Sequence, residues 1–261
     1  MNSSIIYKNI NVNFSVSGKG SAVVLLHGFL EDSSMWVNVK EKVEQKHKVV
    51  CIDLLGHGKT DCLGYINTME EMADMVRFVL KKERIRKATF IGHSMGGYVA
   101  LAFADKYLEN VKGLCLMNST TQRDSNERNK LRLRAMNMAQ TNYKALVTMS
   151  VNNLFTKEKR NAIFNEIEES KVVALKTSAQ AYVACTEGMR VRENKEEMFE
   201  ALTVNKMMII SRKDSVLNYS SIIDEVKRTK SPVIELSNGH MSHIENPKEL
   251  LVAITSFLKP K

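Results

Sequence analysis

The chain has 261 residues, of which 44% are hydrophobic and 26% charged. This composition excludes a disordered, collagen-like or coiled-coil protein, and the length suits one α/β domain with room for an insertion. The formal net charge is +9, but basic and acidic residues are mixed, as in residues 157–169. Such mixing is typical of a solvated surface, so we do not expect a nucleic-acid partner.

Compartment and metal content follow from the apolar runs and the cysteines. No apolar run approaches the ~18 residues needed to cross a bilayer. The polar residues 1–4 predict that there is no signal peptide. The cysteines at 51, 62, 115 and 185 match no metal-ligand spacing. The sequence therefore predicts a cytoplasmic protein with no stable membrane anchoring and no metal.

Strand and helix patterns alternate along most of the chain. The predicted strands are residues 5–7, 11–16, 22–26, 48–53, 88–91, 111–117, 206–210 and 232–236. The predicted helices are residues 34–45, 68–82, 95–107, 219–228 and 247–258. Thr68 followed by Glu71 is a capping-box pattern, and Asn246 with Pro247 predicts a helix start. Alternation of this kind predicts an α/β fold with a parallel sheet covered on both faces.

The alternation breaks between residues 120 and 202, where the sequence is polar and helix-prone and shows no clear strand. We therefore predict a core domain made of residues 1–119 and 203–261. A helical cap, residues 120–202, is predicted to be inserted between two strands of this core.

A possible nucleophile lies between a predicted strand and a predicted helix. Residues 92–96 read Gly-His-Ser-Met-Gly, which is the Gly-x-Ser-x-Gly pattern of a nucleophile elbow. The turn strains the serine backbone and lifts Ser94 above the sheet edge, at a helix N-terminus that favours developing negative charge. The simpler alternative is that Ser94 only caps the helix.

A serine nucleophile needs a base, and the base needs an orienting acid. In proteins that carry a nucleophile elbow, the order along the chain is serine, acid, histidine. Asp214 and His240 each follow a later predicted strand, at the edge where open α/β sheets bind ligands. Asp124 is an alternative acid, whereas Asn118, at the end of the preceding strand, is not a carboxylate. The loop after residues 22–26 and the residue after the nucleophile supply the oxyanion-hole N–H groups, which predicts Phe29 and Met95 as donors.

These motifs together resemble the α/β-hydrolase superfamily, in the branch of small cofactor-free hydrolases. The matching segments, in family order, are residues 27–29, 53–60, 92–97, 214, 239–240 and 245–247. The resemblance implies a sheet of about eight strands with helices on both faces and a helical cap. The chain departs from the family pattern at two places. Ser211 stands where the family usually has glycine, and residues 204–206 stand where it often has proline. The branch includes carboxylesterases, carbon–carbon bond hydrolases of ring-cleavage pathways and the synthase-type lyase of menaquinone biosynthesis.

We therefore expect a serine hydrolase that cleaves small to medium carboxylic esters through an acyl-enzyme intermediate. Asp32, Trp36 and His243 are possible pocket-lining residues, and no cofactor is implied. One alternative is a hydrolase of carbon–carbon bonds in dienone-type ketones, with Arg190 or Arg192 holding a substrate carboxylate. Another is a non-catalytic receptor for a small ligand. The expected partner is a small-molecule ester or ketone, and the sequence does not indicate an oligomeric state.

Overall fold

The computed structural model describes residues 2–259, and in this part of the chain eight strands form one sheet in the order β1-β2-β4-β3-β5-β6-β7-β8. The strands are β1 Asn2–Tyr7, β2 Ile10–Ser17, β3 Ser21–Leu26, β4 His47–Ile52, β5 Ala88–His93, β6 Val111–Met117, β7 Asn205–Ser211 and β8 Val233–Leu236. β2 pairs antiparallel with β1 and β4, and all the other pairs are parallel. The predicted α/β fold, with a mostly parallel sheet of about eight strands, is confirmed.

Helices follow most of the strands. They are α1 Val37–Val43, α2 Met69–Lys82, α3 Met95–Lys106, α4 Asn126–Thr141, α5 Tyr143–Leu154, α6 Phe164–Ala174, α7 Ala179–Val191, α8 Glu196–Ala201, α9 Tyr219–Thr229, α10 Ser242–Glu245 and α11 Pro247–Phe257. No helix in the described residues is both long enough and apolar enough to cross a membrane.

The two predicted helix starts are confirmed, but only one of the two predicted side-chain caps forms among the described residues. At α2, Thr68 Oγ1 accepts a bond from the Glu71 N–H at 3.1 Å, and Glu71 accepts one from the Thr68 N–H at 3.3 Å. This is the predicted capping box. Asn246 precedes α11, but its Oδ1 accepts a bond from the Asn238 N–H at 3.0 Å and caps no helix N–H. Asn246 therefore fixes the loop after β8.

Alternate residues of the central strands pack on opposite faces of the sheet. Val24 and Leu26 belong to one apolar cluster, with α2 and α3, while Val23 and Leu25 belong to another, with α1 and α11. Both faces of β3 are thus buried, which explains why its sequence is continuously apolar rather than alternating.

The helices between β6 and β7 divide into two groups. α4 to α7 form a third apolar cluster together with Leu30 and Met241, two residues from loops at the sheet edge. α8 instead packs against α9, and its Glu196 pairs with Arg228 of α9 at 2.6 Å. Phe199 of α8 also belongs to one of the two apolar clusters that cover the sheet. Helices α4 to α7 are thereby placed next to the loops that carry the candidate site residues.

Candidate active site

Ser94 occupies the turn between β5 and α3. Its backbone has φ 48° and ψ −113°, a conformation that costs about 1–3 kcal/mol and persists only where the surroundings enforce it. Here the Ser94 N–H donates to the Met117 carbonyl of β6 at 2.9 Å, and the Ser94 carbonyl accepts a bond from the Ser119 hydroxyl at 2.8 Å. Neighbouring strand residues thus hold the serine in the strained turn.

The glycines on either side of Ser94 are required by space. A Cβ at Gly92 would collide with the backbone of Gly96 and Gly97, and one at Gly96 would collide with the Leu26 carbonyl. The turn therefore lies directly against the end of β3, which brings it close to the loop that contains Phe29.

Asp214 follows β7 and His240 follows β8, and the two side chains are in contact. His240 Nδ1 lies 3.0 Å from Asp214 Oδ1 and 2.9 Å from Oδ2. Asp214 Oδ1 also accepts bonds from the N–H groups of Val216 and Leu217, at 2.8 and 2.9 Å. Burial by itself raises the pKa of Asp214, but the His240 ring and these donors outweigh it and hold the pKa below its ordinary value. The carboxylate is therefore ionised and accepts the Nδ1–H of His240.

The loop after β3 contains the backbone N–H groups on either side of Phe29, and both of these donate to side chains. The Gly28 N–H donates to Glu31 Oε2 at 2.5 Å, and the Leu30 N–H donates to His57 Nε2 at 3.1 Å. Between them, the N–H of Phe29 has no acceptor among the described residues, and the same is true of the Met95 N–H. These are the two N–H groups that the sequence predicts as oxyanion donors.

His57 supports this loop. Burial lowers the pKa of His57 to about 3, so the ring is neutral and its Nε2 accepts the Leu30 N–H. Its Nδ1 donates to the Leu55 carbonyl at 3.0 Å. His27 has a similar role, because its Nε2 accepts the Leu54 N–H at 2.9 Å and its Nδ1 lies 2.7 Å from the Gly28 carbonyl.

A cavity of about 190 Å³ contains Ser94. Its walls on the sheet side include Phe29, Ser94 and His240, and its opposite wall comes from α4, α5 and α7. The cap-side residues are Arg128, Arg132, Ser150, Leu154, Tyr182 and Met189. Among the described residues Ser94 Oγ forms no hydrogen bond to His240, and such bonds often tighten only when substrate binds.

The predicted pocket-lining residues lie elsewhere. Trp36 is fully buried in a sheet cluster and lines no described cavity, because its ring packs under the sheet with α1. Asp32 and His243 line a neighbouring cavity of about 280 Å³, which does not include Ser94. Asp32 also caps the turn Ser33–Trp36 by accepting the Ser34 N–H at 2.9 Å. None of the three residues lines the Ser94 cavity itself. The neighbouring cavity shares Leu30, Glu31, Leu154 and Met241 with it, so the role of Asp32 and His243 in substrate binding stays a prediction.

The basic residues predicted for the cap also need correction. Arg190 pairs with Glu187 of its own helix, and Arg192 stacks on Tyr98 and pairs with Asp124 at 2.8 Å. Neither lines the Ser94 cavity, whereas Arg128 and Arg132 do.

Asp124, the alternative acid, has a structural setting that differs from that of Asp214. Its side chain is fully buried and pairs with Arg132 and Arg192, with Arg128 3.6 Å away. No histidine contacts Asp124 among the described residues, so the acid next to His240 is Asp214.

A model of the alpha/beta hydrolase fold family matches residues 21–247. The chain therefore belongs to this family. Among solved structures, a thermophilic esterase from Thermogutta terrifontis superposes with a TM-score of 0.91 and 25% identity, covering 99% of this chain and 98% of that one.

Two curated relatives match about the same share of the chain. A putative 2-succinyl-6-hydroxy-2,4-cyclohexadiene-1-carboxylate synthase of Bacillus subtilis is 33% identical over 116 residues, 42% of each chain. The 2-hydroxy-6-oxononadienedioate/2-hydroxy-6-oxononatrienedioate hydrolase of Escherichia coli is 32% identical over 120 residues, 44% of this chain and 42% of that protein. The matches span less than half the length of these relatives.

Proposed function

We propose that this protein is a serine hydrolase that cleaves small to medium carboxylic esters through an acyl-enzyme intermediate. The observation that carries the proposal is the buried Asp214–His240 pair at the cavity that contains Ser94. In this proposal Ser94 is the nucleophile, His240 is the general base and Asp214 orients the imidazole. Within the predicted cap, residues 120–202, helices α4 to α7 cover this cavity.

The reaction follows from these positions. Ser94 Oγ attacks the ester carbonyl carbon while its proton passes to His240, and Asp214 stabilises the imidazolium that forms. The tetrahedral intermediate collapses as His240 gives the proton to the leaving alcohol, and Ser94 is left acylated. Water then attacks the acyl group while His240 takes its proton, and His240 returns that proton to Ser94 Oγ as the acid is released.

The N–H groups of Phe29 and Met95 stabilise the oxyanion of the tetrahedral intermediates. Because neither has another acceptor among the described residues, both are available without breaking a bond. Each donor of this kind contributes about 10²–10³ in rate.

A second candidate is hydrolysis of a carbon–carbon bond in a dienone-type ketone that carries a carboxylate. The observation that favours it is the presence of Arg128 and Arg132 in the wall of the Ser94 cavity. The two side chains share one buried carboxylate, Asp124, so the wall keeps a positive charge that attracts an anionic substrate. Here His240 would protonate the departing carbon rather than an alkoxide.

A panel of substrates separates these functions. Wild type, Ser94→Ala and the control Ser150→Ala, which alters a different hydroxyl of the same cavity, are assayed with 4-nitrophenyl esters of rising acyl length. They are also assayed for loss of the visible absorbance of a dienone diacid. Ester turnover that stops only in Ser94→Ala supports the esterase, and faster dienone turnover favours the second candidate. Binding without turnover of either class would indicate a receptor and contradict the proposal.

A further inference from the structure

A buried carboxylate connects the oxyanion loop to the nucleophile turn. Glu31 is 6% exposed. Its Oε2 accepts the Gly28 N–H at 2.5 Å and lies 2.7 Å from His93 Nδ1. A Cβ at Gly28 would lie only 2.5 Å from this oxygen and 2.8 Å from His93 Nδ1. Glu31 therefore packs tightly between the backbone just before Phe29 and the residue just before Ser94.

His93 continues the connection to the third part of the site. Its ring is buried, and its Nε2 lies 3.0 Å from the backbone carbonyl of His240. A carbonyl oxygen only accepts hydrogen bonds, so Nε2 carries a hydrogen. If Glu31 is ionised, Nδ1 carries one as well, and the ring is an imidazolium.

The electrostatics favour this charged pair. Burial by itself raises the pKa of Glu31, but the charge and hydrogen bond of His93 outweigh it and lower the pKa to about 2. Burial by itself lowers the pKa of His93, but Glu31 outweighs it and raises the pKa above its ordinary value. His243 also faces Glu31, and burial lowers its pKa to about 4, so this ring is neutral.

We propose that Glu31 and His93 are positioning residues that hold the oxyanion loop at Gly28 and the backbone of His240 in a fixed relation to Ser94. The chain of contacts runs from the Gly28 N–H through Glu31 and the His93 ring to the His240 carbonyl. Gly28 directly precedes Phe29, a proposed oxyanion donor, and His240 is the proposed general base. This inference therefore rests on the proposed function. Neither Glu31 nor His93 reacts with substrate in the proposed mechanism.

This role predicts a loss of kcat without a matching change in KM. Misplacement of a reacting group by about 1 Å costs up to about 10²-fold in rate. Glu31→Gln keeps the shape and an acceptor for Gly28 but removes the charge opposite His93. We expect Glu31→Gln to lower kcat about 10-fold and to leave KM within about twofold.

The matched control is Glu225→Gln. Glu225 is also a buried carboxylate, 1% exposed, and it accepts the Thr121 N–H at 2.7 Å, but it lines neither the Ser94 cavity nor the neighbouring one. We expect Glu225→Gln to leave kcat and KM unchanged even if it lowers the unfolding temperature. His93→Gln should lower kcat as Glu31→Gln does, and the double variant should be no slower than the slower single variant, because both act through one chain of contacts.

A second measurement needs no turnover. The downfield proton resonance of His240 Nδ1–H, identified by its loss in His240→Gln, should shift in Glu31→Gln and stay in place in Glu225→Gln. If that resonance is unmoved and kcat is within twofold of wild type, the inference is overturned while ester hydrolysis stands. If wild type cleaves no ester, the proposed function fails, and the resonance alone decides the role of Glu31.

Discussion

Asn118 donates its side-chain amide to Asp214 Oδ2 at 2.9 Å, from the first position after β6. The same amide nitrogen donates to Ser211 Oγ at 2.8 Å, and Asn118 Oδ1 accepts the Ser242 hydroxyl at 2.6 Å. All polar atoms of the amide are therefore committed, which fixes its orientation. Asn118 has φ 44°, a conformation that asparagine tolerates better than most residues.

Removing this amide should slow catalysis without unfolding the protein. Asn118→Gly suits the positive φ and deletes one donor to Asp214, so we expect kcat to fall about tenfold, equivalent to about 1.4 kcal/mol. Asn118→Asp replaces the donor with an acceptor that repels the Asp214 carboxylate, and we expect a larger loss. Steady-state ester kinetics of both variants check this. An Asn118→Asp enzyme as fast as wild type would show that the amide does not hold the acid.

Much of the fold, and the positions of the candidate site residues in it, were predictable from local sequence. The strands are recognisable because both faces of the sheet are buried, so β3 to β6 are apolar runs. The nucleophile turn is recognisable because its glycines are required by close backbone contacts at fixed positions. Asp214 and His240 follow from chain order, since each lies in the loop that follows a strand.

Contacts that depend on packing between distant segments were not predictable. Trp36 lies in the core and His243 in a neighbouring cavity, because the orientation of the segments after β3 and β8 is set by α1 and α11. Arg128 and Arg132 are four residues apart on α4 and share one face, but which element that face meets depends on how α4 packs over the sheet. The bond from Asn118 to Asp214 requires β6 and β7 to be neighbours in a known register.

Asp214 and Asp124 should respond differently to substitution. Asp214→Asn presents an amide to His240 and favours the wrong tautomer, so we expect kcat to fall roughly 10⁴-fold with the fold retained. Asp124→Asn leaves the charges of the buried Arg192 and the half-buried Arg132 unpaired, so we expect a loss of about 3–5 kcal/mol in the free energy of unfolding. Urea denaturation and ester kinetics check the two effects. A catalytically dead, fully stable Asp124→Asn enzyme would mean that the acid is wrongly assigned.

The Asp124 contribution should also depend on pH. Burial by itself raises the pKa of Asp124, but Arg132 and Arg192 outweigh it and hold the pKa below its ordinary value. The stabilisation is therefore present above the unfolded value of about 3.9 and is lost as pH falls through the lower folded value. Asp124→Asn should lack this acid-dependent component, as measured by denaturation at several pH values.

The acid limb of the pH–activity profile should belong to His240, which must be neutral to accept the Ser94 proton. The groups around it are Asp214, His93 and His243. Burial lowers the pKa of His243 to about 4, so this ring does not change charge near neutral pH. We expect His243→Gln to keep the acid limb of kcat/KM and His240→Gln to be inactive at every pH. Loss of the limb in His243→Gln alone would contradict the assignment.

The arginines of the cavity wall should select the charge of the acyl group. We expect Arg128→Gln and Arg132→Gln to raise KM several-fold for the 4-nitrophenyl monoester of glutarate, whose free carboxylate they attract. KM for the neutral 4-nitrophenyl butyrate should stay within about twofold. Arg190→Gln, which alters an arginine outside the cavity, is the control. Equal effects on both esters would show that the arginines do not contact the substrate.

The central claim is that Ser94 is the nucleophile, and covalent labelling tests it most directly. Wild type, Ser94→Ala and Ser150→Ala are treated with a fluorophosphonate, and intact mass together with peptide mapping gives the extent and the position of labelling. Ser150 lies in the same cavity but contacts no histidine or carboxylate in the part of the chain that the structure describes, so it controls for access. We predict one adduct on Ser94 in wild type and Ser150→Ala, and none in Ser94→Ala. Labelling that persists in Ser94→Ala, or an adduct that maps to another residue, would contradict the account.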